Sequence, residues 1–118
     1  MILFTATYDS REYSHIKEET KVRLYDLGKA LALYSRDYGR YPSSEQGSGE
    51  LVGYEKRYVR YLIDSDAWGN RFIYLEPPKA DMPFNLYSKG KNQTDERGGG
   101  DDISYWKVKP ELDEAFRE

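Results

Sequence analysis

The sequence predicts an α+β fold in which one long helix packs against a small three-stranded antiparallel sheet. Three observations carry this expectation. Leu24, Leu27, Leu31, Tyr34 and Tyr38 recur at steps of three or four with Ala30 beside them, so they share one face of a 3.6-residue repeat. That repeat stops at Gly39, and Tyr41-Pro42 follows at once. Beyond it the grammar changes to short aromatic and β-branched runs separated by Asp, Asn, Ser and Gly clusters.

The helix is expected over residues 9–38. Asp9 with Glu12 and Ser14 with Lys17 are both imperfect caps for its start. Lys17, Glu18, Lys21, Arg36 and Asp37 form its solvated side. Gly39 can take the left-handed conformation that closes a helix, and Pro42 biases Tyr41 away from helical angles. Before the helix, Met1-Ile2-Leu3-Phe4-Thr5-Ala6 is apolar and turns polar at Asp9, which fits either the end of a longer hydrophobic helix or a native or added tail.

The chain reads as a single domain. Residues 39–70 form an irregular segment, with a short helix or turn over 49–59 carrying Leu51 and Val52, then an apolar cluster of Tyr58, Val59, Tyr61, Leu62 and Ile63. Asp64-Ser65-Asp66 and Gly69-Asn70 bracket Ala67-Trp68 and predict a chain reversal. Residues 71–108 are expected to form an antiparallel meander with strands over 71–76, 84–88 and 103–108; Pro77-Pro78 ends the first strand. An acidic loop over 89–102 joins the last two strands. In the extension 109–118, Pro110 is placed to open a helix over 111–117 with Leu112 and Phe116 four apart on one face.

Composition narrows the function. A mean hydropathy of -0.90 with 33% charged residues leaves a thin core, to which twelve tyrosines contribute rings whose hydroxyls stay wet. Net charge is -3 with acids and bases interspersed, which argues against a nucleic-acid partner. The absence of cysteine excludes disulfides and thiolate metal sites. No segment has the length and apolarity of a membrane span, and no cleavable signal sequence is recognisable.

One segment has the composition of a chemical site. Between Asn92 and Asp102 the chain offers Asn92, Gln93, Thr94, Asp95, Glu96, Asp101 and Asp102 around Gly98-Gly99-Gly100. A hard cation such as Ca²⁺ takes about six to eight oxygens, which a bent loop supplies from carboxylates, amides and freed carbonyls. Lys89, Lys91 and Arg97 partly neutralise the cluster, so its composition is equally that of a solvated loop. It is neither an EF-hand nor a repeated glycine-aspartate nonapeptide.

Four motifs in order then give a resemblance. Tyr41-Pro42-Ser43-Ser44-Glu45-Gln46-Gly47 after the helix, Asp66-Ala67-Trp68-Gly69-Asn70 followed by Phe72-Ile73-Tyr74, Tyr87-Ser88-Lys89-Gly90, and Asp101-Asp102-Ile103-Ser104-Tyr105-Trp106 resemble the major pseudopilins of the bacterial type II secretion system. The likeness covers residues 16–106. It implies a type IV pilin-like fold and a structural role. Such proteins carry a leader and a hydrophobic N-terminal helix, are processed by a prepilin peptidase and methylated, and are anchored in the inner membrane with the head in the periplasm. They polymerise through that helix into a fibre that drives folded proteins across the outer membrane, alongside minor pseudopilins and an inner-membrane platform. A head without the apolar helix is expected to be monomeric or weakly associating.

The resemblance also implies a Ca²⁺ ion held by the Lys89 carbonyl, Asn92, Asp101 and Asp102, with Asp95 as a further ligand; here Asn92 stands where the family has Asp. Alternatives are a minor pseudopilin or type IV pilin-like subunit, or a free calcium-dependent binding module. Enzymatic readings are weak. The single histidine, His15, lies on the exposed side of the helix pattern, Ser43-Ser44 has no neighbouring base, and Asp64 with Asp66 has ordinary turn composition.

Overall fold

A computed structural model describes residues 10–44, 63–75, 83–97 and 100–117. Helix α1 (Ser10–Tyr38) is the spine, within one residue of the expected span. Strands β1 (Ile73–Leu75), β2 (Asn85–Ser88) and β3 (Ile103–Ser104) form an antiparallel sheet in the order β1-β2-β3, and helix α2 (Tyr105–Ala115) follows directly. Register is set by Ile73 opposite Tyr87 and by Ser88 opposite Ile103.

Leu24, Leu27, Ala30, Leu31 and Tyr34 of α1 are buried, as the apolar repeat predicts, while Tyr38 is exposed and stacks its ring 4.5 Å from Tyr34. Their partners are Phe72, Phe84, Leu86, Ile103, Tyr105, Val108 and Leu112, so sheet and α2 close on the same stripe. Burial pushes the Tyr105 phenol up to about 12, so it packs as a neutral ring. Its ring lies on Gly28, where an added Cβ would stand 2.0 Å from it; a larger side chain on α1 would lift α2 off the spine.

The end of α1 behaves as its residues predict. Gly39 has φ of +75° and donates its N–H to the Ser35 carbonyl at 2.8 Å. Pro42 is buried, and its carbonyl accepts the Tyr74 hydroxyl at 2.6 Å, which ties the chain leaving the spine to β1. Residues 49–59 and most of the following apolar cluster lie outside the described residues; of that cluster Ile63 is described and exposed.

The third strand is the principal correction. The expected strand over 103–108 is only Ile103–Ser104, and the chain is helical from Tyr105. Ser104 is in an extended conformation and its hydroxyl accepts the Trp106 N–H at 3.2 Å, the action of a helix N-cap. Alternation over six residues hid a second period: Tyr105, Val108 and Leu112, at steps of three and four, are the buried residues of α2. Pro110 therefore lies inside the helix, not at its start. It removes one helical N–H, a cost offset by the burial of Val108 and Leu112 on the opposite face. Strand β1 is likewise shorter than the expected 71–76, since Arg71 makes only an isolated bridge with Ser65.

Candidate metal site and its support

The acidic loop leaves β2 at Ser88 and returns into β3 at Ile103. Gly90 makes the first bend with φ of +74°, and its α-carbon lies so close to Asp101 that an added Cβ would sit 2.1 Å from the Asp101 carbonyl oxygen. Only glycine permits this approach. Gln93 folds back so that both its backbone N–H and its side-chain amide donate to the Gly90 carbonyl.

The expected ligands fall into two groups. Asp101 accepts the Asn92 backbone N–H at 2.8 Å through Oδ2, and buried Asp102 accepts the Glu96 N–H at 2.8 Å through its own Oδ2. The two adjacent side chains thus hold different strands of the loop. Glu96 completes this group: it accepts the Asp101 N–H at 2.7 Å and lies 3.4 Å from the Asn92 amide nitrogen. Its role was not legible in sequence, because nothing local distinguishes it from a solvated acid. Asn92 Oδ1 accepts the Thr94 N–H at 2.9 Å. Asp95 points elsewhere. The Arg97 backbone N–H at 2.9 Å and the Tyr87 hydroxyl at 2.8 Å both donate to it and hold its carboxyl below the usual carboxylate range. Burial, and then Asp95 itself, push the Tyr87 phenol up. Lys91, adjacent to the cluster in sequence, places its ammonium 5.2 Å from the Tyr13 ring centroid.

The donors are the oxygens a hard cation takes. Their arrangement is that of a loop closed on itself by hydrogen bonds: among the described residues no three acidic or histidine side chains converge to hold a metal. A cation here would replace carboxylate contacts with backbone N–H groups.

Beneath the loop stands a carboxylate that sequence reading took for turn composition. Asp66 is 1% exposed. Its Oδ1 accepts the Trp68 and Asn70 N–H groups at 3.0 and 2.9 Å, and its Oδ2 accepts the Ser88 hydroxyl at 2.8 Å. The Ser88 oxygen in turn accepts the Gly90 N–H at 3.0 Å, so this carboxylate joins the 66–70 turn to the first bend of the loop. The spine grips the same turn: Arg23 Nη1 donates to the Ser65 and Asp66 carbonyls at 3.1 and 3.0 Å, and the Thr20 hydroxyl accepts the Ala67 N–H at 3.0 Å. Asp64 instead pairs at the surface with Arg71 at 3.1 Å. The two carboxylates of the Asp-x-Asp turn therefore have separate structural roles, and His15 is exposed on α1.

The chain has counterparts among known proteins. The model of the family described as type II secretion system protein G matches residues 9–106. The chain belongs to that family. It is 33% identical over 98 residues to the type II secretion system core protein G of Aeromonas hydrophila, covering 70% of this chain and 63% of that protein. Against the core protein G of Pseudomonas aeruginosa it is 34% identical over 93 residues, covering 68% and 63%. The chain thus spans 63% of the length of these two relatives. The crystal structure of the major pseudopilin from the type 2 secretion system of enterohaemorrhagic Escherichia coli superposes with a TM-score of 0.63 at 26% identity, over 90% of this chain and 99% of that one. The family is structural, not enzymatic. Its match ends at Trp106, so most of α2 lies past it.

Proposed function

We propose that the chain is the head of a major pseudopilin, a subunit that polymerises into a periplasmic fibre and drives folded proteins across the outer membrane. The observation that carries this reading is the family match along the whole spine, turn and meander, residues 9–106. Among the described residues no helix is long and apolar enough to cross a membrane; anchoring in the inner membrane belongs to this reading through the hydrophobic N-terminal helix that the family resemblance implies. The test is complementation of a strain lacking its major pseudopilin, together with cross-linking of the protein in membranes. Restored export and a ladder of homo-oligomers are expected; a single heterodimer band would assign it instead to the minor pseudopilins, and failure of both would overturn the reading.

Within this reading, Ca²⁺ is the proposed occupant of the acidic loop, held by the Lys89 carbonyl, Asn92, Asp101 and Asp102; Asp95, engaged by Tyr87 and Arg97, would have to turn to join them. Support comes from the all-oxygen donor set and from the carboxylates of Asp101 and Asp102, which already reach across the loop to Asn92 and Glu96. The ion would supply charge neutralisation and hold 89–102 closed. Calorimetry with millimolar Ca²⁺ and with chelator is expected to separate the melting curves, and Asp101→Asn is expected to merge them. Identical curves for the unaltered protein would remove calcium from the function.

A further inference from the structure

Two consecutive acids of the loop are engaged in different directions. Asp95 is pinned through Oδ1 by the Arg97 N–H at 2.9 Å and the Tyr87 hydroxyl at 2.8 Å. Tyr87 is 2% exposed, so turning Asp95 away would leave a buried phenol without its acceptor. Glu96 reaches across the loop instead. Its Oε1 accepts the Asp101 N–H at 2.7 Å and lies 3.4 Å from Asn92 Nδ2, while its Oε2 accepts no hydrogen bond among the described residues.

Two further observations bear on what the loop can hold. Gly100 leaves room for the Glu96 carboxylate: an added Cβ would lie 2.5 Å from Oε2 and 2.6 Å from Oε1, so the carboxylate fills the side the glycine leaves empty. Gln93 donates its amide N–H to the Gly90 carbonyl, and its own side-chain oxygen is buried with no donor. Gly90 packs in turn against the carbonyl and carboxylate of Asp101. A buried oxygen without a donor is unfavourable, and a hard cation satisfies it where no N–H is in reach.

We propose that Glu96, and not Asp95, is the third carboxylate of the cation site, joining Asp101 and Asp102 around a bound Ca²⁺. The inference rests on the calcium reading above and deepens it. Of the side chains assigned there, Asn92 is neutral, so Asp101 and Asp102 alone would balance the two charges of the ion. Calcium sites are tuned by the number of charged ligands, and glutamate is the long carboxylate that closes such sites with both oxygens on one ion. Glu96 is already in reach of Asn92 and Asp101, two of the assigned ligands. Each of the three carboxylates holds a loop N–H: Asp101 that of Asn92, Asp102 that of Glu96, and Glu96 that of Asp101. These bonds keep the three in one neighbourhood, and the ion supplies the common centre that no three acids share among the described residues.

The test titrates Ca²⁺ by calorimetry into the chelator-treated chain, comparing the unaltered protein with Glu96→Gln and Asp95→Asn. Both variants remove one negative charge at adjacent exposed positions, so an effect of net charge alone weakens them equally. Glu96→Gln keeps an oxygen for the Asp101 N–H, and its melting curve in chelator is expected to match that of the unaltered protein. Its Ca²⁺ affinity is expected to fall by about tenfold or more, against less than about threefold for Asp95→Asn. Unchanged affinity in Glu96→Gln, equal losses in the two variants, or the larger loss in Asp95→Asn would overturn the assignment of Glu96 while leaving calcium in the loop. No binding by the unaltered protein at millimolar Ca²⁺ would remove the calcium reading itself, and this inference with it.

Discussion

Replacing Asp66 tests the carboxylate that holds the turn, β2 and the acidic loop together. Asp66→Ala strands three donors: the N–H groups of Trp68 and Asn70 and the hydroxyl of Ser88, which is fully buried. Hydrogen bonds to a charged acceptor contribute about 1.5–3 kcal/mol each, but the two backbone donors are half-exposed and partly recover water. The expected loss is therefore ~3–5 kcal/mol, a large part of an ordinary domain's ~5–15 kcal/mol. Asp66→Asn keeps an oxygen for the two N–H groups but turns an NH₂ toward Ser88, whose oxygen already accepts from Gly90, so only the Ser88 proton loses its acceptor; the expected cost is ~1–2 kcal/mol. With an m-value near ~1.5 kcal/mol/M for urea, the unfolding midpoint falls by roughly 2–3 M for alanine and about 1 M for asparagine. In a Ser88→Ala background the asparagine penalty is expected to shrink by ~1 kcal/mol. Equal midpoints for the alanine and asparagine variants, or additive effects with Ser88→Ala, would refute the network.

Gly28→Ala raises helix propensity by about 1 kcal/mol yet drives a methyl into the Tyr105 ring, an overpacking cost of ~1–3 kcal/mol. A lower melting temperature, recovered by combining it with Tyr105→Leu, is expected; stabilisation by Gly28→Ala alone would show that α2 is not seated there. The Lys109 ammonium and the Tyr25 hydroxyl hold the Asp113 carboxyl below its ordinary range, and Asp95 is held low by the Arg97 N–H and Tyr87. A depressed folded-state value gives stability that is present above the unfolded carboxylate value near ~4 and lost as pH falls through the lowered one. Melting temperature is expected to fall below about pH 4, and the fall to be shallower in the Asp95→Asn, Asp113→Asn double variant; an unchanged slope would mean that other carboxylates carry it.

The spine was legible because nearly thirty residues repeat one period and end in a glycine whose conformation only a stop requires. The turn at 64–71 and the two strands after it were legible from local chemistry, since Gly69-Asn70 acts on its neighbours alone and the runs 72–75 and 84–88 are rich in strand-forming residues. The entry into α2 was not. Ile103, Tyr105 and Lys107 alternate as a strand would, and the signal that overrides them is a single serine hydroxyl capping Trp106. The site divides in the same way. Asp101 and Asp102 could be placed in one loop by composition, while the pairing of Asp95 with Tyr87 and of Asp66 with Ser88 depends on residues 8 and 22 positions away, which no local pattern reports.

Ser104 is at once the last residue of β3 and the cap of α2. Sheet and helix consequently meet at a seam one residue wide, and the residue at the seam is committed on both sides. Lengthening β3 would uncap the helix; moving the helix back would unzip the pairing with Tyr87. Beyond the seam the commitments are of another kind: Tyr105, Val108 and Leu112 fill the core, and the Trp106 indole N–H donates to the Phe84 carbonyl at 2.8 Å, so only the helix past Leu112 lies outside the core. The seam also falls within two residues of the end of the family match. The serine that ends the sheet is thus also where the shared sequence pattern gives out, and most of α2, with Lys109 paired to Asp113 at 2.7 Å, lies beyond it.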